Sequence, residues 1–256
     1  MEQVELVELG TALLEGTGSY CLRSKKSNAG YVKKNKWLTD RFEEGLKYVQ
    51  LFENQKQVGF IEYTAAEFSS RVVYAEHYLI IHCLWVSTTG KGHGTALIHK
   101  CIDDARLAGK HGVAVVTNST TSWTPSQNIF LKNGFMQADT APFGFELLVY
   151  KFNDQSDSPS FPTNWEGRAR SFDKLTILRS FQCPYVEIAT SNVLEGAERL
   201  GIEADIYDLQ NREELMRLSP TPYGIYSVVY RGQLVAFHRL TVHSVIKRLK
   251  QIHATT

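Results

Sequence analysis

Three glycines at alternate positions, Gly90, Gly92 and Gly94, separate an apolar run from a helical pattern. The run is YLIIHCLWV, residues 78–86, and the helical pattern begins near Thr95. Strand, glycine-rich turn and helix start in that order make a cradle for an anion. The first amides of a helix lack internal partners, and the helix dipole adds about half a positive charge there. Glycine lets the backbone adopt positive φ and approach a ligand closely. The chemistry suggested is binding of a phosphate or pyrophosphate group. Two common phosphate loops do not fit. GxxxxGK[ST] would need Lys91 elsewhere, and GxGxxG has a different spacing from the GxGxG found here. A helix entry that is simply rich in glycine is the plain alternative.

The elements that must hold this loop can be traced through the chain. Residues 1–27 are partly apolar and give no clear pattern. Asn28 to Leu46 is helical, with Tyr31, Trp37, Leu38, Phe42 and Leu46 roughly on one face and Gly45 as a stop signal. KYVQLFENQKQVGFIEYTA reads as an antiparallel hairpin, 47–53 with 57–64. Residues 65–77 form an irregular excursion before the opening strand. After the loop a helix is expected over about 93–108, with Gly109 as its cap. A buried strand at 112–118, a short helix at 126–133 ending in Gly134, and a strand at 145–152 follow. Helices against a mixed sheet are implied.

Residues 153–170 are polar, contain two prolines and read as a linker or a wrapping segment. A second alternation then runs strand, helix, strand, short helix, hairpin, helix. Asn211 with Glu214 gives the short helix a capping-box-like start. The expected domains are 1–153, a linker 154–170, and 171–256. The 256 residues carry a net charge of +1, spread evenly, so neither nucleic acid nor an anionic membrane is indicated as partner. No apolar run reaches the roughly 18 residues of a membrane span, and MEQVELVELG is not a secretory leader. Cys21, Cys83, Cys101 and Cys183 fit no zinc spacing; no metal is expected, and the thiol content suits a cytoplasmic protein.

LWVSTTGKGHGTAL, GVAVVTN and FLKNGF, in this order of elements, resemble the GNAT superfamily of acetyl-CoA-dependent acetyltransferases. With GFIEY, IIHCLWV and APFGFELLV, the wording is similar to the YoaP-like group, which carries a small thioredoxin-like domain at its C-terminus. The resemblance implies a mixed α/β (α+β) GNAT fold followed by a small thioredoxin-like α/β domain. It implies acetyl-CoA as cofactor and a small-molecule or peptide primary amine as acceptor. The strand before the loop should splay from its neighbour. Leu84, Trp85 and Val86 would pair with pantetheine, and amides from Gly90 through Lys91, Gly92, His93, Gly94 and Thr95 to Ala96 would hold the pyrophosphate. Asn118 and the helix containing Phe130 would line the thiol end. Two positions depart from the superfamily. Thr89 stands where Gln or Arg is usual, leaving Lys91 or His93 to supply charge. Phe130 stands where a proton-donating Tyr is common.

Acetylating an amine requires that its ammonium lose a proton, usually to a carboxylate or through water. Glu62 on the hairpin and Glu146 in the last strand of the first half are candidates for base or amine anchor, or else ordinary strand residues. His82, on the opening strand, is a candidate one bulge away from the splay, or a core histidine. Cys83 reads as packing rather than as a nucleophile. In the second half, Cys183-Pro184-Tyr185-Val186 resembles a glutaredoxin site without its resolving cysteine, and Thr221-Pro222 falls where thioredoxin-like folds place a cis-proline. Cys183 is therefore a possible redox residue. An N-acetyltransferase is the first reading. A monothiol glutaredoxin-like redox protein or CoA-binding sensor with a non-catalytic first domain is the second, and a pseudoenzyme scaffold the third. Oligomeric state is left open.

Overall fold

The computed structural model describes residues 4–254, which form two compact units. The first runs up to Tyr20 and includes Leu38–Ser69 and Val73–Phe161; the second comprises Cys21–Trp37, Ser70–Val72 and the chain from Pro162 onward. No helix among the described residues is long and apolar enough to cross a membrane.

The first unit is built on a seven-stranded mixed sheet. Its strands are β1 (Val4–Leu9), β2 (Lys47–Glu53), β3 (Lys56–Ala65), β4 (Tyr78–Val86), β5 (Gly112–Asn118), β6 (Met136–Ala141) and β7 (Phe145–Lys151). They lie in the order β1-β2-β3-β4-β5-β7-β6, and only β4 and β5 are parallel. Asn54 and Gln55, both at positive φ, make the two-residue turn between β2 and β3. That turn suits the right-handed strand twist. Helix α1 covers Thr11–Thr17 and α2 covers Ala29–Phe42. The α2 end is closed by Leu46 N–H donating to the Arg41 carbonyl at 3.0 Å, with Gly45 at φ +86°. Helix α3 (His93–Leu107) follows the glycine loop, and α4 (Gln127–Lys132) follows β5.

One face of the sheet packs on α3 and α4. Val49, Leu51, Ile61, Tyr63, Leu79, Ile81, Val113, Val115 and Leu148 share a core there with Leu97, Ile98, Cys101 and Phe130. Burying an aliphatic side chain of this kind contributes roughly 1.5–3 kcal/mol. A polar cluster closes the rim of this core. Asp104 of α3 accepts from the Tyr63 hydroxyl and from Lys100 Nζ at 2.5 Å, with Lys47 Nζ at 3.5 Å.

The second unit holds a four-stranded sheet in the order β11-β10-β8-β9. Its strands are β8 (Leu175–Arg179), β9 (Ala204–Asp208), β10 (Tyr226–Tyr230) and β11 (Gln233–Ala236). β8 pairs parallel with β9 and antiparallel with β10, which pairs antiparallel with β11. Helices α6 (Val186–Glu198), α7 (Arg212–Leu218) and α8 (Val242–Ala254) connect or follow them. At Gly196 an added Cβ would lie 2.7 Å from Val245 Cγ1, so the missing side chain on α6 makes room for Val245 of α8. The α7 cap differs slightly from the sequence reading. Asn211 accepts from Glu214 N–H, but the Glu214 carboxylate accepts from Gln210 N–H. Two further corrections follow. The polar stretch expected as a linker contains helix α5 (Trp165–Arg170), whose Trp165 is buried. No peptide bond among the described residues is cis, so Pro222 follows a trans bond.

Burial by itself would raise the Asp104 pKa, but the Lys100 and Tyr63 hydrogen bonds and the Lys47 charge outweigh it and hold the carboxyl below its ordinary value. A carboxyl depressed by folding stabilises above its unfolded pKa of about 3.9, and that contribution is lost as pH falls through the folded value. Asp104→Asn should therefore be less stable than the parent above about pH 5. The difference should shrink toward zero at lower pH in urea melts; a gap independent of pH would exclude the ionised carboxylate as its cause.

Candidate active site

β3 and β4 run in register until Glu62↔Cys83, and the next pair is Tyr63↔Ile81. His82 is thus an extra residue in β4, a β-bulge. Its consequence is a change of parity. Leu79 and Ile81 face the α3 core before the bulge; Leu84 and Val86 face it afterwards. His82 and Cys83 both fall on the other face, as does Trp85. A bulge also kinks its strand and increases the local twist. The β4–β5 ladder ends here, at Ile81↔Val115, while β5 continues to Asn118 paired only with β7. β5 therefore offers no partner to the backbone of Leu84–Val86, and the two strands diverge.

A cavity of about 450 Å³ adjoins the divergence. Leu84, Trp85 and Val86 form one wall, and α4 with its entry, including Ser126, Ile129 and Lys132, forms another. The floor is the glycine loop and the N-terminus of α3: Gly90, Gly92, His93, Gly94 and Thr95. Gly90 (φ +84°) and Gly92 (φ +79°) hold left-handed conformations, with open space where a Cβ would be. Gly94 has a different reason. Its Cβ would lie 2.3 Å from Ile129 Cδ1, so this glycine lets α3 approach α4.

Several expected site residues lie elsewhere. Ala96 N–H already donates to the Gly92 carbonyl at 2.9 Å, so its amide belongs to the helix rather than to a ligand. The Asn118 amide is used locally. Nδ2 donates to the Phe143 carbonyl, while Oδ1 accepts from Thr120 N–H and hydroxyl. Phe130 is fully buried in the core against Phe135 and does not line the cavity. Lys91 is drawn away by Glu53 at the end of β2, its Nζ lying 3.1 and 3.0 Å from the two carboxylate oxygens. His93 Nε2 lies 3.1 Å from the same carboxylate. The Lys91 hydrogen bond, chiefly, holds the Glu53 carboxyl below its usual pKa. His93 is 4% exposed, and its Nδ1 is buried without a hydrogen-bond partner. Lys132, absent from the sequence reading, is an exposed cation on the cavity wall.

On the opposite face the structure joins two of the three proposed catalytic residues. His82 Nδ1 lies 3.2 Å from Glu62 Oε1, and His82 Nε2 lies 3.0 Å from Ser69 Oγ. Glu62 and Ser69 are 1% exposed and His82 2%. With Glu62 ionised, Nδ1 carries the proton and Nε2 accepts from the Ser69 hydroxyl. Acid, imidazole and hydroxyl thus form a buried chain along which a proton can be shared. Ser69 lay in the irregular excursion and carried no sequence signal. Glu146 is not part of this chain. It accepts from Thr117 Oγ1 at 3.3 Å, on the face shared by Val115 and Leu148.

Cys183, in the second unit, is partly exposed and forms no disulfide. α6 starts only at Val186, whose N–H donates to the Cys183 carbonyl at 3.2 Å. The thiol therefore precedes the helix rather than opening it. Residues of the 21–37 segment pack beside it. A Cβ at Gly30 would lie 2.0 Å from the Pro184 carbonyl oxygen, and Lys33 Nζ bonds Glu187 at 2.7 Å.

Residues 20–135 match the family described as acetyltransferase (GNAT). A curated relative, the uncharacterized N-acetyltransferase YoaP of Bacillus subtilis (strain 168), is 28% identical over 235 residues, covering 90% of this chain and 92% of the relative. Among solved structures, the PaiA N-acetyltransferase of Thermoplasma acidophilum in complex with coenzyme A matches at 16% identity and TM-score 0.43. That match covers 59% of this chain and 99% of that one. The N-acetyltransferase PseH of Campylobacter jejuni in complex with acetyl coenzyme A matches at 13% identity and TM-score 0.42, covering 59% and 100%.

The left-handed φ at Gly92 sets a test of the loop. Gly92→Ala should lose about 1 kcal/mol of stability, because an L-residue with a Cβ resists that region. Gly92→Asn should lose clearly less, since Asn tolerates it. Equal losses in denaturant melts would show that backbone conformation is not what requires glycine here.

Proposed function

Taking residues 20–135 as a member of the acetyltransferase (GNAT) family, we propose that the protein is an N-acetyltransferase. It moves an acetyl group from acetyl-CoA to a primary amine of a small molecule or peptide by direct transfer. The observation that carries this reading is the end of the β4–β5 ladder at Ile81↔Val115, directly beside a glycine loop on a helix N-terminus. The residues present fit the cofactor on two counts. The backbone of Leu84–Val86 faces a gap, and Gly90 and Gly92 leave open space above the loop.

Leu84, Trp85 and Val86 would hold the pantetheine arm, and the amides of Gly90 to Thr95 its pyrophosphate. Lys132 supplies charge from the cavity wall, while Thr89 supplies none. Acetyl-CoA, when bound, supplies an activated acetyl thioester. The chain's own contribution is to orient the acceptor beside it and to remove a proton. Orientation of two bound reactants is itself a large part of such catalysis. Glu62 with His82 takes the ammonium proton, through water because both are buried, and Ser69 keeps the imidazole in place. Amides at the divergence of β4 stabilise developing negative charge. Glu146, on the cavity's side of the sheet, is left without a role in proton removal.

For the second unit, the strand order β11-β10-β8-β9 with one parallel pair supports a thioredoxin-like domain. We assign it an accessory role. Cys183 has no second cysteine within its own turn, and its thiol lies ahead of α6 rather than on the helix N-terminus.

Two measurements check the active-site assignments. Glu62→Gln should lower kcat/KM by about 10²- to 10⁴-fold, the usual contribution of a general base. It should leave the acetyl-CoA Kd, measured by calorimetry, unchanged; activity retained within a few-fold would remove Glu62 from the mechanism. Glu53→Gln should tighten coenzyme A binding about two- to fivefold at low salt, by releasing Lys91 to the phosphates. Weaker binding would mean that Glu53 positions Lys91 rather than competing for it.

A further inference from the structure

The bulge that creates the slot also turns the Trp85 indole onto the Glu62 face. There it lies against Tyr20, with ring centroids 4.3 Å apart. Tyr20 in turn packs on Phe60 at 5.7 Å, and Phe60 stacks on Tyr48 at 4.9 Å with the rings 6° apart. The wall is held from behind. Phe60 is directly opposite Trp85 in the β3–β4 register, and Tyr48 and Phe60 are buried. Tyr20 N–H donates to the Tyr48 hydroxyl at 3.0 Å, and Gln50 Nε2 donates to the Gly18 carbonyl at 3.2 Å. Only the outer rings reach solvent: Trp85 is 38% exposed and Tyr20 partly so. Trp85 is also among the residues that line the slot, so the strand that carries the aromatic wall on one face borders the slot on the other.

Glu67, Glu76, Glu146 and Glu53 do not converge on this wall. Glu67 is paired with Lys110 at 3.3 Å. Glu76 stands beside His77, before the start of β4 and so at the opposite end of the strand from Trp85. Glu146 is on the other sheet face with Thr117, and Glu53 is taken up by Lys91 and His93. Glu62 is on this face, but it is buried and bonded to His82. The surface that meets the acceptor is thus one exposed ring, Trp85, and one partly exposed ring, Tyr20, beside a buried proton acceptor. Such a surface recognises a flat apolar body by stacking, and one ammonium by its proton.

We propose that the acceptor is a primary monoamine on an aromatic or flat apolar body, which lies on Trp85 and Tyr20 while the amine reaches toward Glu62–His82. This rests on the acetyltransferase reading above. Acetyl-CoA-dependent thiol release by the full chain tests it, with phenethylamine and tryptamine set against n-butylamine, putrescine and spermidine. The aromatic amines should be preferred by about tenfold or more in kcat/KM, the scale on which apolar contacts discriminate. Tyr20→Ala should raise the aromatic amines' KM by about tenfold with a smaller change in kcat, so that the preference collapses. Trp85→Leu should do the same and serves as the second variant if Tyr20→Ala does not fold. Acetyl-CoA binding with turnover of polyamines alone, or variants that keep the aromatic preference, would overturn the acceptor class and leave the acetyltransferase reading standing. Absence of both acetyl-CoA binding and thiol release would overturn both.

Discussion

One extra residue in β4 is the constraint on which the site depends. Had β4 paired with β3 without a bulge, residues after Ile81 would have kept their alternation. Leu84 and Val86 would then have faced away from α3, and Trp85 toward it. His82 instead absorbs one position, and three consequences follow from the same backbone step. The imidazole comes to lie beside Glu62. Leu84 and Val86 return to the core face while Trp85 joins Tyr20. The ladder to β5 stops, and a slot opens between two strands that are otherwise parallel neighbours. The proposed proton acceptor, cofactor wall and acceptor wall are therefore one feature seen from three sides.

The anion cradle is electrostatically restrained rather than simply positive. Its backbone donors are fixed by left-handed glycines and by the start of α3. Lys91 and His93 beside it are hydrogen-bonded to Glu53, a carboxylate that the β2–β3 turn brings alongside. A ligand at the proposed site would compete with Glu53 for Lys91, and its affinity would rest on oriented amides together with Lys132.

The sequence carried the framework well because its signals were local. Alternation placed β2 and β3, apolar runs placed β4, β5 and β7, and the i, i+3, i+4 spacing placed α3. β6 (Met136–Ala141) went unread because it is an edge strand of mostly exposed, polar residues. The helix α5 was hidden in a stretch whose prolines and acidic residues look like a linker. The bulge could not be read from YLIIHCLWV, since a strand apolar on both faces has no alternation to break. Glu62 and His82 were recognisable as chemistry, but their union depends on that bulge, and Ser69 was unmarked. Gly94 adds a second reason for glycine that the pattern did not show, because its missing Cβ also leaves room for Ile129 Cδ1. Phe130 and Asn118 were placed in the site by resemblance, and the core and a loop claim them instead.

The central claim is that divergence of β4 from β5 creates the acetyl-CoA site. Amide hydrogen exchange, followed residue by residue with and without acetyl-CoA, tests it most directly. The account predicts slowed exchange at Leu84–Val86 and at the amides from Gly90 to Thr95, with the β8–β11 sheet unchanged. Protection confined to the second unit, or none along β4 and the glycine loop at saturating acetyl-CoA, would contradict it.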